Sequence, residues 1–290
     1  FTKEDIDYLR QEFNYSEEFL DYLLNLKFTG DFYSAKEGEV IFANEPILIV
    51  KAPLIQAQLL ETVILNVVNF QTLIASKASK LRMVAGDDLL FEFGSRRAHE
   101  TDAALWGARA AIIGGFDGTS LVEAGRKFGL KVVGTHAHSF VQVYQDEFIA
   151  FKKYAETHKE CTFLVDTYDV IRSGVPNAIK VADELKGKIN FNAIRIDSGD
   201  LAYLSKEARK LLDKAGYKDV KIIASNDLDE ETIISLKEEK AKIDIWGVGT
   251  RLITAFDQPS IGGVYKIVQI EKGNENVDVI KISNTIEKIS

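Results

Sequence analysis

The sequence predicts an α/β protein: an irregular (β/α) barrel over residues 87–262, carrying the active site, with a second α+β domain built from residues 1–86 and 263–290. Three observations predict it. From Asp88 onward, short apolar runs alternate with amphipathic segments of helical length, the pattern of parallel βαβ units. The runs end in tight polar clusters: Phe-Gly-Ser-Arg-Arg at 93–97, Gly-Thr-His-Ala-His-Ser at 134–139, Asp-Thr-Tyr-Asp at 166–169, Arg-Ile-Asp-Ser-Gly-Asp at 195–200, Ser-Asn-Asp at 225–227 and Gly-Val-Gly-Thr-Arg at 247–251. Residues 32–50 and the stretch after Pro259 are instead β-rich without that alternation. In a (β/α) barrel the C-terminal strand ends converge on one face, so clusters placed there build one site.

The elements follow in order. Residues 3–27 read as two short helices, with Tyr8, Leu9 and Phe13, then Leu20, Leu23 and Leu24, at helical spacing. Stretches 39–43 and 46–51 are β-rich and broken by Asn44-Glu-Pro46, which predicts a small hairpin. Pro53 opens a helix to about residue 80, a position where helices accept proline. Its broad apolar face (Leu54, Ala57, Leu60, Ile64, Val67, Val68, Leu73) predicts burial against a sheet or another subunit. Strands are expected at 89–93, 131–133, 161–165, 190–196, 220–224 and 243–247, with a seventh near 111–115. Helices are expected at 99–113, 119–128, 140–158, 170–185, 201–215 and 230–239, with a helical turn near Leu252. After Pro259, strands at 262–270 and 277–282 are expected to rejoin the N-terminal β region.

Composition narrows the function. At 290 residues, 46% hydrophobic and 28% charged, the chain is ordinary globular material. Folding at this size buries about 75% of the unfolded surface, so no staples are needed. The net charge of −8 argues against non-specific nucleic-acid binding. It leaves room for a small anionic substrate, since Arg96, Arg97, Arg195 and Arg251 all fall in the strand-end clusters. The single cysteine, Cys161, cannot pair internally and reads as a buried thiol in a reducing compartment. No apolar run approaches the roughly 20 residues of a membrane span. The acidic, amphipathic start is not a signal peptide, so a cytoplasmic location without membrane partners is expected. The chain starts at Phe1 rather than Met and ends in a polar tail, so its true ends are expected to lie outside this sequence.

Each cluster supports a structural and a functional reading. Gly247-Val-Gly-Thr250 is either a common strand-end turn or a place where backbone N–H groups meet phosphate. Arg195 and Asp197, at i and i+2 on one strand, face the same way. They form a structural ion pair, or an anion-holding arginine beside a carboxylate for sugar hydroxyls. Asp200 is a candidate helix cap. Arg96 and Arg97 are a surface pair or an anion clamp. Asn226 and Asp227 bind ribose hydroxyls or cap the helix after 229. His138 is a hydrogen-bonded structural histidine, or a nucleophile or base oriented by Asp166, with His136 as its competitor. An i, i+2 metal pair of these histidines is a further possibility, but no zinc motif supports it.

Taken together, the clusters resemble the nicotinate phosphoribosyltransferase family of type II phosphoribosyltransferases. The matching stretches are Phe-Glu-Phe-Gly-Ser-Arg-Arg-Ala at 91–98, Gly-Gly-Phe-Asp-Gly-Thr-Ser at 114–120, 134–139, Val-Asp-Thr-Tyr-Asp at 165–169, Ile-Arg-Ile-Asp-Ser-Gly-Asp at 194–200, 225–227 and Trp-Gly-Val-Gly-Thr at 246–250. The resemblance implies transfer of phosphoribosyl from phosphoribosyl pyrophosphate to nicotinate, in NAD biosynthesis, by a homodimer with shared sites. It implies Mg²⁺, and ATP as co-substrate, hydrolysed through a phosphohistidine at His138 with Asp166 as orienting partner. It implies nicotinate contacts from Thr135 and Arg195, a ring- and phosphate-proximal Arg96, and a ribose and phosphate cradle of Asp197, Gly199, Asn226, Gly247, Gly249 and Thr250. The nicotinamide-using relatives place an aspartate where this chain has Ser120, which does not repel a carboxylate and so favours nicotinate. The family's N-terminal ring-stacking aromatic segment and its C-terminal remainder are not in this sequence. Two alternatives stand beside this one: nicotinamide phosphoribosyl transfer, and a sugar-phosphate barrel lyase, which would need a Schiff-base lysine or a metal cluster at the strand ends.

Overall fold

Local signals set the first elements. Helix α1 (Lys3–Glu12) starts at Thr2, whose hydroxyl accepts the Asp5 N–H while the Asp5 carboxylate accepts the Thr2 N–H. Helix α2 (Glu17–Leu24) starts at Ser16, and Ile6, Leu20 and Leu23 make a small core between the two. Strand β1 (Asp31–Ser34) pairs antiparallel with β2 (Leu48–Lys51). The hairpin therefore exists, but its first strand is 31–34, and 39–43 is irregular. Helix α3 (Leu54–Ala85) follows Pro53. The structure, a computed structural model, describes residues 1–284. It divides into two compact units: Phe1–Asn66 with Gly263 onward, and Val67–Gly262. The division falls inside α3 rather than at residue 86.

By length and composition alone α3 is apolar enough to cross a membrane, although polar residues interrupt its apolar ones throughout. Its last turns belong instead to a protein core: Leu73, Ile74, Ala78, Leu81 and Ala85 are buried in the main cluster of the second unit.

That second unit is a curled parallel sheet wrapped by helices. Its elements are β3 (Leu89–Glu92), α4 (Thr101–Ile113), β4 (Gly118–Thr119), α5 (Val122–Phe128), α6 (His138–Tyr144), α7 (Glu147–Thr157), β5 (Glu160–Leu164), α8 (Val175–Glu184), β6 (Asn190–Ile196), α9 (Leu201–Lys214), β7 (Lys221–Ser225), α10 (Glu230–Glu238), β8 (Ile245–Val248) and α11 (Thr250–Ile253). The strand order is β4-β3-β8-β7-β6-β5, all parallel. Alternation along the strands separates two faces. Leu90, Phe163, Ile194, Ile196, Ile222, Trp246 and Val248 point outward into the main core with the helices. Phe91, Ala193, Ile223 and Ile245 point inward and form a small plug with Phe93 and Val133.

The gap between the sheet edges is spanned by irregular chain. Val132 makes a single parallel bridge to Thr119 at the β4 edge. Four residues on, the Leu164 N–H of the β5 edge donates to His136 Nε2 at 3.2 Å. The expected strand at 131–133 is therefore one bridge, and the imidazole takes the place of its next ladder partner. The expected seventh strand near 111–115 is absent: α4 runs to Ile113, and the paired residues are 118–119. The expected helix at 140–158 is two helices, separated by Gln145 in the left-handed region and restarted by the Asp146 cap. The expected helix at 170–185 opens with a π turn, Val170–Gly174. After the sheet, β9 (Gln269–Lys272) and β10 (Glu275–Asp278) pair with each other as a hairpin of their own, in the same compact unit as β1 and β2.

Candidate active site

Inward alternation at the C-terminal strand ends delivers the polar side chains. On β6, Ala193 lies in the plug, and Arg195 and then Asp197 stand above it on the same face. All three nitrogens of the Arg195 guanidinium are engaged: Nε donates to Ser225 Oγ at 2.8 Å, Nη1 to Thr135 Oγ1 at 3.1 Å and Nη2 to Asp197 Oδ1 at 2.8 Å. Its centre sits 5.2 Å from the Phe93 ring. Phe93 in turn lies against Gly247, where a Cβ would come within 2.7 Å of the ring. The glycine at 247 is thus needed for space. Burial pushes the Asp197 carboxyl up, but the Arg195 charge, the Ser225 hydroxyl and His138 outweigh it and hold the group below the usual carboxylate range. The ion pair and the site are the same object.

His138 opens α6 and is half-buried beside this network. Its Nδ1 lies 3.2 Å from Thr167 Oγ1, and its Nε2 lies 3.8 Å from Asp166 Oδ1 and 3.7 Å from Asp197 Oδ2. Two carboxylates on one side favour the proton on Nε2, with the Nδ1 lone pair toward the Thr167 hydroxyl. Asp166 is fixed: its Oδ2 accepts the Asp197 N–H at 3.0 Å and the Ser198 hydroxyl at 2.6 Å. Its Oδ1 is buried without a hydrogen-bond partner, and this is the oxygen that faces His138. His136 belongs elsewhere. It is buried among Phe140, Phe151, Tyr154 and Phe163, with Nε2 used by Leu164, so the two histidines are not a metal pair. Among the described residues no group of three or more His, Cys, Asp or Glu side chains is arranged to hold an ion.

The other expected residues sit on the same edge of the sheet. Arg96, in the turn Ser95–Arg97 after β3, is exposed and has no hydrogen-bond partner among the described residues. Ser120, at the end of β4, is exposed, with its N–H on the Glu92 carbonyl. Gly199 has φ +81, and Asn226 and Asp227 hold φ 99 and 43, conformations that ordinary residues avoid. Asp229 caps α10 and Asp200 caps α9, so Asn226 and Asp227 are not spent on capping. Gly249 and Thr250 turn the chain from β8 into α11. Sequence reasoning assigned no role to Phe93, Thr167 or Ser225, although all three lie in the quoted clusters. It also passed over Glu92, a charge in a buried strand.

Fold and site together define an α/β protein with a curled, half-barrel parallel sheet and a polar site at its C-terminal mouth. The chain belongs to the nicotinate phosphoribosyltransferase family. Residues 1–69 match that family's N-terminal domain and residues 88–290 the nicotinate phosphoribosyltransferase (NAPRTase) family itself. The whole chain is 62% identical over 290 residues to nicotinate phosphoribosyltransferase of Bacillus subtilis, covering 59% of that protein. It is 38% identical to that of Dictyostelium discoideum, covering 57% of it. The chain thus spans under two thirds of the curated relatives it matches. Human nicotinic acid phosphoribosyltransferase superposes with a TM-score of 0.76 at 29% identity, over 86% of this chain and 61% of that one. Nicotinate-nucleotide pyrophosphorylase of Pyrococcus furiosus superposes with 0.68 at 29% identity, over 78% and 58%.

Proposed function

We propose that the protein transfers phosphoribosyl from phosphoribosyl pyrophosphate to nicotinate, giving nicotinate mononucleotide and pyrophosphate in NAD biosynthesis, and couples this to ATP hydrolysis through a phosphohistidine at His138. The observation that carries it is His138 set between Thr167 and the two carboxylates, beside the Arg195 network. In the transfer half, the nicotinate ring nitrogen bonds to the anomeric carbon as that carbon's bond to pyrophosphate breaks. Positive charge grows on the ribose and negative charge on the leaving group. Asp197, kept ionised, faces the first, and the unpaired guanidinium of Arg96 is placed for the second. Thr135 and Arg195 meet the nicotinate, whose carboxylate the uncharged Ser120 accommodates. Gly199, Asn226, Gly247, Gly249 and Thr250 let the backbone approach ribose and phosphates closely.

In the ATP half, the γ-phosphoryl group bonds to Nδ1 of His138 and ADP leaves. Water later cleaves the N–P bond and releases phosphate. The carboxylates at Nε2 support this by keeping the proton there and the lone pair on Nδ1. Mg²⁺ ordinarily rides on substrate phosphates with one or two carboxylates. Carried on the substrates' phosphates, the ion would neutralise their charge. Family membership sets aside the lyase alternative. Assembly as a homodimer with shared sites, in the cytoplasm, completes the reading.

The test uses labelled nicotinate and labelled nicotinamide with and without ATP. Nicotinate mononucleotide is expected, faster with ATP, together with an acid-labile phosphate on the wild type and none on His138→Ala. Preference for the amide would overturn the Ser120 assignment, and a phosphoenzyme on His138→Ala would overturn the His138 one.

A further inference from the structure

Glu92 is a fully buried acid on the outward face of β3, and among the described residues no cation is bonded to it. Burial pushes its carboxyl up, against the pull of its two hydrogen bonds. The two oxygens hold two different loops. Oε1 accepts the Gly94 N–H at the start of the turn that carries Arg96. Oε2 accepts the Thr119 hydroxyl at 2.6 Å, at the end of β4, and the Thr119 oxygen accepts the Leu121 N–H at 3.0 Å. The Glu92 carbonyl also takes the Ser120 N–H at 2.9 Å. One residue therefore ties the Arg96 turn to the Ser120 strand end. Its neighbour Phe93 projects to the opposite face, against Gly247 and under Arg195. A hydrophobic residue would fill this outward position as well as its neighbours Leu90 and Val248 do in theirs, so an acid there calls for a reason other than packing. The β4 strand is only two residues long, too short for its ladder alone to fix the Ser120 turn.

We propose that Glu92 is a positioning residue that clamps the Arg96 turn to the Ser120 strand end, and so sets the wall of the pocket that meets the pyridine carboxylate. This rests on the proposed function; the clamp itself does not. Glu92 touches no substrate and acts through the two loops.

Three variants of the intact protein test it: Thr119→Val, which keeps shape and removes one hydroxyl, Glu92→Gln, and Glu92→Ala. Amide exchange is read at residues 94–98 and 119–122, and steady-state kinetics are read with nicotinate. Thr119→Val and Glu92→Ala are expected to speed exchange in both segments together. They are expected to raise KM for nicotinate about tenfold or more with kcat changed less than about threefold, and to narrow the preference for nicotinate over nicotinamide. Glu92→Gln, which still accepts the Gly94 N–H, is expected to recover most of that loss. The Glu92→Ala, Thr119→Val double variant is expected to be no worse than Glu92→Ala. Exchange that changes in one segment only, or kcat falling as far as KM rises, would overturn the inference. If Glu92→Ala does not fold, Thr119→Val decides alone. A wild type that does not turn over nicotinate overturns the proposed function instead, and the exchange measurement still decides the clamp.

Discussion

His136 and His138 are two residues apart and chemically unlike. The sequence shows both in one strand-end cluster, and nothing in their spacing says which is in the site. Their neighbours decide it: Phe140, Phe151, Tyr154 and Phe163, spread over 24 positions of the chain, close around His136. Burial there pulls its ring from 6.5 down to about 4. The folded state thus binds that proton less readily than the unfolded one, so stability is full above about pH 6.5 and is lost as pH falls toward 4. The loss by pH 4.5 is roughly 2–3 kcal/mol, since each unit of difference is about 1.36 kcal/mol. The same protonation takes the lone pair that holds the Leu164 N–H at the seam of the curl. Urea unfolding of wild type and His136→Gln at pH 7 and 4.5 checks this. The variant starts less stable and is expected to fall less between the two pH values, and equal falls would refute the assignment.

Elements were legible where local signals are strong. Strand β6 matches its expected range, and helices with a clear cap at each end came within a few residues. The losses have physical causes. The Ile112-Ile113 run satisfies a strand and a buried helix equally, and only the contacts of α4 decide. Val132 has a neighbour on one side only, so its apolar run makes a bridge and no ladder. The break at Gln145 was readable from Asp146, which accepts the Ile149 N–H as a cap, but the apolar spacing runs across it. The site followed the same rule. Arg195 and Asp197 could be paired from their i, i+2 spacing, whereas Ser225 meets them, and Thr167 meets His138, only through the fold. The π turn after β5 was not legible, and it depends on one glycine. A Cβ on Gly174 would lie 1.8 Å from the Val165 carbonyl oxygen, which is backbone and cannot swing away. Since φ there is −58, the constraint is space and not conformation. Gly174→Ala is expected to cost about 1–3 kcal/mol. It should also slow formation of the phosphoenzyme, because the turn carries the Asp166–Thr167 loop that faces His138. Gly262→Ala, with nothing within 4 Å, is expected to stay within about 0.5 kcal/mol. Equal denaturation midpoints for the two variants would show that the turn relaxes freely.

At the scale of the whole molecule, the first turns of α3 carry a row of exposed aliphatic side chains. Leu54 and Ile55 are 56% and 45% exposed, and Leu59, Val63 and Val67 39%, 60% and 47%. Single exposed aliphatic residues are ordinary, but Ile55, Leu59, Val63 and Val67 recur every four residues and form one stripe on one helix. A stripe of this kind packs ridge into groove on another helix. The whole helix, Leu54–Ala85, is by length and composition apolar enough to suit a bilayer as well. The buried Lys77 of the same helix, bonded to Glu230 at 2.5 Å and Asp257 at 2.6 Å, ties its later turns to the protein instead. In the proposed function the cover is a second copy. A two-fold contact buries each side chain of the stripe twice, once from each subunit. Replacing Val63 by glutamate removes about 1.5–3 kcal/mol of apolar burial per copy and adds two like charges. Sedimentation at micromolar concentration is expected to show a dimer for wild type. Val63→Glu is expected to weaken it by more than about a hundredfold, with unchanged circular dichroism. A monomeric wild type, or a Val63→Glu dimer as tight as wild type, would place the subunit contact elsewhere. Recruitment of wild type to neutral phosphatidylcholine vesicles, lost in Val63→Glu, would give the stripe to a membrane.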